Sequence, residues 1–326
     1  MTILVTGATG NVGAHVVGEL RRRGAPVRAF VRDPLAAADR LGDDVELACG
    51  DFEDAASIRE ALFGVDRVFL SSADGPNKVE HEAAVTDACA DAAVSLIVKA
   101  STLAADPESP LPPLAWNGRS EAHIRRSGVP WIVLASAFYM TNLLAAADQV
   151  RAEGKLLAPA GGGAIHMIDP RDVGAAAAAV LTSDGHAGHS YRLTGPEAIT
   201  YGDVADVLSA LTGSPVEYVD VPEERARQGL IASGMPEWLV RHLVGAFRLI
   251  RAGDFADVTG SVEELTGRPP RRFAEFARDH RAVFARGSDP AGNSSPPSTD
   301  RVAPVVSPAA FGVAIDRGLR HTHGRT

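Results

Sequence analysis

The sequence predicts an α/β fold in which a doubly wound parallel sheet is followed by a smaller, mixed α/β lobe. Short apolar runs alternate with helix-period segments over the first half of the chain, and the alternation changes near residue 154. The first apolar run leads directly into a turn with glycines at positions 7, 10 and 13. Strands that alternate with helices pair in parallel, because each crossover helix returns the chain to the same end of the sheet.

The first element is the strand Ile3-Leu4-Val5, which is followed by the glycine turn and a helix that ends before Gly24. In such a turn the first glycine allows a sharp bend, the second lets backbone approach a diphosphate, and the third lets the helix pack on the strand. The helix N-terminus supplies unpaired N–H groups for phosphate. We therefore predict a Rossmann-type nucleotide site made by Gly7, Thr9, Gly10, Asn11, Val12 and Gly13.

The residue after the second strand (27–31) indicates which nucleotide is bound. A site for NAD usually has Asp or Glu there to bond the ribose 2′-hydroxyl, whereas Arg32 offers a guanidinium suited to a 2′-phosphate. Asp33 faces elsewhere if the alternation of the strand continues. We predict NADP(H) as cofactor; the alternative is that Arg32 is a solvated charge at a strand end.

The following elements continue the alternation as far as residue 153. Strands are predicted at 45–48, 67–71, 95–101 and 131–135, with helices at 54–62, 77–93, 117–127 and from about 139. A ligand of an open parallel sheet lies outside the carboxyl ends of its strands. We therefore add to the cofactor site the residues at those ends, which are Asp51, Phe52, Ser71, Ser72 and Ala73.

The domain organisation follows from these changes in pattern. Residues 1–153 are predicted to form the NADP(H)-binding domain, and 154–286 a smaller lobe that caps the substrate, some elements of which could return to the main sheet. Within that lobe we expect strands at 165–168, 189–193 and 216–219, and helices at 173–182, after 200, at 222–252 and at 273–284. Residues 287–326 are rich in Ser, Pro and Gly, and are predicted to be disordered.

Composition limits the class of function. The net charge is −9 and the pI about 5.6, which disfavours nonspecific binding to nucleic acid or to an acidic membrane surface. The two cysteines are isolated, so neither a disulfide framework nor a metal site is expected. We expect a cytoplasmic protein with a small-molecule substrate and no membrane span. The 29 arginines against three lysines suggest a bacterium with GC-rich codons.

Several motifs along residues 1–285 resemble the NmrA-like group of atypical short-chain dehydrogenase/reductases. Besides the glycine turn, they are Val31-Arg32-Asp33-Pro34, Gly50-Asp51-Phe52, Val79-Glu80-His81-Glu82, Ser127-Gly128-Val129-Pro130, and residues 138–143 and 168–174. The resemblance implies a Rossmann-type fold and an NADP(H) cofactor. The group includes quinone and azo-dye reductases, plant reductases of lignan metabolism and redox sensors, so the resemblance fixes fold and cofactor better than reaction.

The usual catalytic pair of short-chain dehydrogenases is missing. None of the four tyrosines, at positions 139, 191, 201 and 218, is followed by lysine four residues later. The resemblance also predicts a histidine where Asn117 stands and an arginine where Ala135 stands. These departures indicate chemistry that differs from that of ordinary members.

Three residues remain as candidates for catalysis, each with a structural alternative. Ser101 could bond a substrate carbonyl or cap local backbone, and Lys99 could reach the cofactor ribose or be a solvated charge. Tyr139 could donate a proton or pack at the cleft wall. Asn142 lies one turn beyond Tyr139 on the expected helix and is assigned to the cofactor.

The substrate candidates are Trp116, Asn117, Phe138 and His166, although His166 could also be a structural histidine. Asp169, Arg171 and Asp172 are interpreted as the cap of a helix that begins at Pro170. The sequence thus predicts an NADPH-dependent reductase of a quinone-like or conjugated carbonyl compound in bacterial secondary metabolism. The alternative is a non-catalytic NADP(H)-binding redox sensor that acts through a protein partner.

Overall fold

The computed structural model describes residues 1–285, so the predicted disordered tail at 287–326 lies outside the described residues. The strands are β1 (Ile3–Val5), β2 (Val27–Val31), β3 (Glu46–Cys49), β4 (Arg67–Leu70), β5 (Leu96–Thr102), β6 (Trp131–Ser136), β7 (Lys155–Ala158), β8 (Ala164–Ile165), β9 (Ser190–Leu193), β10 (Ile199–Thr200) and β11 (Glu217–Asp220). Seven of them form one sheet in the order β3-β2-β1-β4-β5-β6-β9. Every pair in it is parallel, as the sequence predicts.

The helices occupy both faces of this sheet and most of the second lobe. They are α1 (Gly13–Arg22), α2 (Pro34–Leu41), α3 (Ala55–Ala61), α4 (Lys78–Asp91), α5 (Pro112–Arg126), α6 (Ala147–Glu153), α7 (Pro170–Thr182), α8 (Tyr201–Thr212), α9 (Glu223–Ala232), α10 (Glu237–Ala252), α11 (Ser261–Thr266), α12 (Phe273–Asp279) and α13 (Arg281–Phe284). Within residues 1–285 no helix is both long and apolar enough to cross a bilayer.

The sheet is buried on both faces, which explains why its strands are short and apolar. One core cluster packs under α1 and α7, and a second packs under α3, α4 and α5. Helices α1 and α7 approach closely because position 174 has no side chain: a Cβ on Gly174 would lie 2.6 Å from the Cβ of His15. The strand order reverses between β1 and β4, which places a ligand crevice at the carboxyl ends of these two strands.

Local chemistry sets several helix starts. Asp33, Asp54 and Asp169 each accept a hydrogen bond from the first turn of the following helix, and α8 begins with a capping box of Thr200 and Asp203. Asp169 also binds the Arg171 side chain, in agreement with its interpretation as a cap.

The second lobe is built on two small sheets. β7 pairs with β11 in parallel, and β8 pairs with β10 in antiparallel. Helices α8, α10, α12 and α13 pack around them in one apolar cluster. Three elements that follow residue 154 in the sequence belong to the first core: β9 pairs with β6 of the main sheet, and α7 and α11 pack against that sheet. The hydrophobic core of the first domain therefore includes residues from both sides of position 154. The predicted domain boundary stays a prediction.

The structure corrects the helix expected from Tyr139. This residue is extended and precedes a 3-10 helix, Met140–Ala146, which continues into α6. Backbone bonds to Ile168 keep Tyr139 extended. The Ile168 N–H donates to Phe138 O, and the Ile168 carbonyl accepts from the Met140 N–H, both at 2.9 Å. Tyr139 is the N-cap of this helix, because its carbonyl accepts from Asn142 N at 3.0 Å. The helical stretch expected at 222–252 consists of α9 and α10, and the single helix expected at 273–284 is two helices, broken at His280.

Candidate functional site

The glycine turn after β1 is compact because its glycines contact neighbouring backbone. Gly7 has a positive φ of 59°, and a Cβ there would lie 2.8 Å from Ser71 O. A Cβ on Gly13 would lie 2.1 Å from Gly7 O, which confirms the close packing expected of the third glycine. At Gly10 a Cβ would contact only Gly7 O, at 3.0 Å, and the residue is exposed. The outer face of the turn is therefore open to a ligand.

The N-terminus of α1 fits a diphosphate. No side chain caps it, and its first turn contains no acidic residue. Thr9 and Asn11 are exposed beside it, whereas Val12 is buried in the core. Asn11 Nδ2 donates to Thr141 Oγ1 at 2.9 Å, and this bond connects the turn to the 3-10 helix across the crevice.

Thr6, which the sequence analysis missed, joins the turn to the loop after β4. Its hydroxyl donates to Ser71 O at 2.8 Å and accepts from Ser71 N at 2.9 Å. Ser71 and Ser72 are half-buried and Ala73 is exposed at this loop. The glycine turn and the loop at 71–73 are thus held as one wall of the crevice, where the sequence placed the cofactor.

Arg32 and Asp33 have different environments, as the sequence suggested. Asp33 accepts hydrogen bonds from Leu35 N at 3.0 Å and Ala36 N at 3.1 Å, so its carboxylate is engaged in capping α2. Arg32 is exposed, and its guanidinium has no hydrogen bond or ion pair with any residue in 1–285. A free guanidinium beside the carboxyl end of β2 fits a 2′-phosphate better than a 2′-hydroxyl.

Asp51 and Phe52 follow β3 in the same crevice. Asp51 accepts from Glu53 N at 2.9 Å. Phe52 stacks on His81 with ring centroids 5.5 Å apart and meets the edge of Phe30 at 5.7 Å. The direct contact of Asp51 and Phe52 with the nucleotide stays a prediction.

A charged cluster that the sequence analysis did not foresee lies under the loop at 71–73. Glu82 Oε1 is 3.0 Å from Lys78 Nζ and 3.1 Å from Lys99 Nζ, and Lys99 and Glu82 are wholly buried. Burial alone would raise the pKa of Glu82, but the two ammonium groups lower it to about 2. Burial lowers the pKa of Lys99 to about 8, against the effect of Glu82. A signal was available: Lys78 and Glu82 stand four residues apart on one helix, and Lys78 is one of three lysines.

This Lys78–Glu82–Lys99 cluster supports the cofactor loop directly. Ser72 Oγ donates to Glu82 Oε1 at 2.9 Å, and Lys78 Nζ donates to Ser72 O at 3.1 Å. Asn117 Oδ1 accepts from Lys99 Nζ at 3.0 Å. Lys99 and Asn117 are therefore buried beneath the loop, and this geometry favours support of the loop over direct contact with ribose or substrate.

The hydroxyl of Ser101 has a protein partner. It donates to Glu121 Oε1 at 2.5 Å, and Glu121 Oε2 also lies 2.9 Å from Arg125 Nη2. Ser101 is 5% exposed. In this arrangement its hydroxyl proton is engaged with a carboxylate and not with local backbone, and a catalytic role of Ser101 stays a prediction.

Tyr139 lies between the cofactor loop and the second lobe. Burial raises the pKa of its phenol, while the neighbouring Ser136 hydroxyl opposes the shift, and Asp74 and Lys78 are within electrostatic range. Asp74 and Lys78 belong to the segment after β4, and the role of Tyr139 as proton donor stays a prediction. Asn142 does not share a helix face with Tyr139, because Tyr139 precedes the 3-10 helix.

Beyond the sheet, a cavity opens between the carboxyl ends of β5 and β6 and the helix α10, and its space of about 500 Å³ includes volume open to solvent. Most of its wall is apolar, and it includes Leu103, Leu111, Leu114, Phe138, Ile165 and Phe255. A second cavity of about 360 Å³ lies against Asn142, Leu143 and Tyr201. Phe138 lines both cavities and separates them. None of the described residues that line either cavity is Asp, Glu, Lys or Arg.

The predicted substrate residues divide into two groups. Phe138 and His166 line the larger cavity. Asn117 belongs to the buried charged cluster, and Trp116 packs edge-on against Trp238 of α10 at 5.1 Å. His242 of α10 also lines the larger cavity and was missed, because its distance from the other site residues along the chain gave no sequence signal. In the described part of the chain no three His, Cys, Asp or Glu side chains could hold a metal ion.

Comparison with known proteins agrees with this geometry. The chain is 37% identical over 282 residues to an NAD(P)H azoreductase of Xenophilus azovorans, covering 86% of this chain and 99% of that protein. It is 39% identical over 284 residues to (4-alkanoyl-5-oxo-2,5-dihydrofuran-3-yl)methyl phosphate reductase of Streptomyces griseus, covering 87% and 99%.

A solved structure also matches. The NADPH-dependent quinone oxidoreductase 2 of Escherichia coli, complexed with NADPH, superposes with a TM-score of 0.78 at 30% identity, covering 85% of this chain and 99% of that one. The profile of the NmrA-like family matches residues 1–277. The chain belongs to the NmrA-like family.

Proposed function

We propose that the protein is an NADPH-dependent reductase of an uncharged, quinone-like or conjugated carbonyl compound. The observation that carries this proposal is the position of the larger cavity. It opens at the carboxyl ends of β5 and β6, next to the strand ends that border the crevice, so an acceptor in it would lie beside the nicotinamide end of the cofactor. A role in bacterial secondary metabolism stays a prediction.

The residues present fit NADP(H). The open glycine turn and the uncapped N-terminus of α1 suit the diphosphate, and the free guanidinium of Arg32 suits the 2′-phosphate. Ser72, fixed by the Lys78–Glu82–Lys99 cluster, orders the loop at the nicotinamide end. When bound, NADPH supplies a hydride, which carries two electrons. The E. coli relative that is similar to this chain was solved with NADPH.

The protein's side chains would orient the acceptor and donate the proton that the reduced acceptor takes up. A quinone that gains the hydride and one proton leaves as a hydroquinone, and the cofactor leaves oxidised. We assign that proton to Tyr139, because its phenol is protonated at neutral pH and Asp74 and Lys78, in the segment after β4, are within electrostatic range of it. Apolar walls exclude water around the reacting atoms.

The lining of the cavity favours an uncharged substrate. The Streptomyces relative is named for a substrate that bears a phosphate, but no described residue lining the cavity carries a positive charge that would neutralise one. The E. coli relative is named for quinones. An apolar wall with few polar groups suits a flat conjugated ring with carbonyl oxygens.

Mixing the purified protein with NADPH and a panel of acceptors tests this proposal. The panel contains 1,4-naphthoquinone, an azo dye and a phosphorylated furanone, and loss of nicotinamide absorbance is followed. We expect rapid oxidation with the quinone, slower oxidation with NADH in place of NADPH, and little with the phosphate ester. A reaction without acceptor is the control.

Preference for the phosphate ester would contradict the uncharged class. No oxidation with any acceptor, together with tight NADPH binding, would contradict the enzyme and favour the redox-sensor alternative.

A further inference from the structure

We propose that His242 of α10, together with His166 and Ser136, forms a hydrogen-bonding wall that holds the oxygen atoms of the acceptor in the larger cavity. This inference deepens the proposed function and rests on it. It assigns substrate contacts to residues from three separate parts of the chain: the end of β6, the segment after β8, and α10.

The three side chains share one unusual property. All line the same cavity, and each has a buried polar atom without a hydrogen-bond partner among the described residues, namely Ser136 Oγ, His166 Nδ1 and His242 Nδ1. The Ser136 hydroxyl lies near the Tyr139 phenol, but no bond of acceptable geometry joins them. His166 is 1% exposed and Ser136 2% exposed, so solvent at the protein surface does not satisfy these two side chains.

Unpaired buried polar groups are rare, because a buried donor or acceptor normally has a partner. Three of them on the wall of one cavity indicate that the partner is the molecule that occupies it. The other side chains on that wall are mostly aliphatic or aromatic, and their apolar contacts do not fix the orientation of a ligand. The three polar groups therefore set the orientation of the occupant.

The two histidines are suited to donate to neutral oxygen atoms. Burial lowers the pKa of both imidazoles, so at neutral pH each is uncharged and carries one N–H donor. The charged groups within range are Arg192 and Asp257 for His166, and Asp74 for His242. No bond among the described residues fixes either tautomer, so each ring can present its N–H on the nitrogen that the occupant requires.

Helix α10 is held firmly enough to position His242. At Gly245 a Cβ would lie 2.3 Å from Leu111 Cδ2, and at Gly163 one would lie 1.9 Å from Ile250 O. These two close approaches pack α10 against the start of α5 and against the turn before β8. His166 is fixed in the same region. Its backbone N–H donates to Phe255 O at 3.0 Å, and its ring meets the Phe255 ring edge-on, with centroids 6.1 Å apart.

These features point to a flat, uncharged acceptor with two carbonyl oxygens. Phe138 and Phe255 would contact the faces of its ring, and the imidazoles would donate to its oxygens. A quinone meets this description. An aromatic hydrocarbon of the same size has the ring without the oxygens, and so provides a direct comparison.

Equilibrium dialysis against the NADP⁺-saturated protein tests the proposal, with 1,4-naphthoquinone and naphthalene as the two probes. We expect His242→Leu to weaken naphthoquinone binding about 3- to 10-fold, the loss of one hydrogen bond between neutral groups, and to leave naphthalene binding unchanged or tighter. His242→Gln keeps a donor and should retain most of the naphthoquinone affinity. His166→Leu should behave like His242→Leu.

The matched control is His123→Gln, because His123 of α5 pairs with Asp87 at 2.7 Å and does not line the cavity. It should change neither probe. Thermal melting and NADPH affinity identify any variant that fails to fold, and if His242→Leu is such a variant, His166→Leu carries the test.

The proposal is overturned if His242→Leu and His166→Leu leave naphthoquinone affinity unchanged, or weaken naphthalene equally. In that case rapid NADPH oxidation by the wild type would keep the proposed function intact. If the wild type neither binds nor reduces naphthoquinone, both proposals fail.

Discussion

The two halves of the candidate site are held in opposite ways. The cofactor half is polar and rigid: the glycine turn contacts backbone, Thr6 bonds Ser71 twice, and the Lys78–Glu82–Lys99 cluster fixes Ser72. The acceptor half is an apolar cavity with three unpaired polar groups on its wall. Bonds within the protein therefore fix the loops of the cofactor half, which still presents the open turn and the Arg32 guanidinium to a nucleotide, whereas in the acceptor half the polar groups of the wall have no protein partner.

This contrast indicates which half tolerates change. Substitutions of Glu82 or Gly13 in the cofactor half disturb groups that already have contacts, so they affect folding as well as binding, whereas a substitution of Arg32, whose guanidinium has no partner in 1–285, affects binding alone. Substitutions in the acceptor half change the volume or the polarity of a cavity, and they mainly affect which molecule is bound.

Removal of the charge of Glu82 should have the largest effect. Glu82→Gln leaves two buried ammonium groups without their shared carboxylate, and we expect the free energy of unfolding to fall by roughly 3 to 5 kcal/mol. Glu80→Gln is the matched control, because Glu80 is exposed on the same helix and should change stability little. Urea unfolding of the three proteins measures this, and equal stability would show that the cluster does not support the fold.

The same carboxylate predicts how stability depends on acid. The pKa of Glu82 falls from an ordinary 4.5 to about 2 in the folded protein, so the unfolded chain takes up the proton first. The stabilisation is complete above pH 4.5 and is lost as the pH falls towards 2. The wild type should therefore lose more stability than Glu82→Gln across this interval. Parallel curves for the two proteins would contradict the assigned shift.

Gly13 tests the contact between backbone segments in the turn. A Cβ at this position would overlap Gly7 O, so Gly13→Ala should destabilise the protein by roughly 1 to 3 kcal/mol and weaken NADPH binding. Gly18 of the same helix has no atom within 4 Å of the Cβ position, and Gly18→Ala should stabilise the protein by about 0.5 to 1 kcal/mol. Similar melting temperatures for both variants would refute the packing argument.

Tyr139 connects the two halves. If its phenol supplies the proton, Tyr139→Phe should reduce turnover of a quinone by roughly 10²-fold and leave NADPH affinity unchanged. Steady-state rates and a nucleotide titration measure both quantities. Wild-type turnover in the Phe variant would assign the proton to water.

The sequence predicted the parallel sheet, the glycine turn and the different environments of Arg32 and Asp33, because short local patterns determine each of them. It did not predict that Lys99 and Glu82 meet, since a helix and a strand bring them together through the fold of the sheet. A helix does open near Tyr139, but it is a 3-10 helix that begins at Met140, and the backbone bonds of Ile168, far along the chain, were not visible in the sequence. His242 was missed for the same reason: only the packing of α10 over the sheet brings it to the cavity.

The central claim is that one half of the site binds NADP(H) and the other binds the acceptor. Steady-state kinetics with both substrates varied test it most directly. Arg32→Ala should raise the KM for NADPH by roughly 10- to 150-fold, through loss of a bond to a charged group, with the KM for naphthoquinone unchanged. His242→Leu should do the reverse, with an increase of about 3- to 10-fold confined to the quinone. If either variant raises both constants together, the two halves are not separate and the account is contradicted.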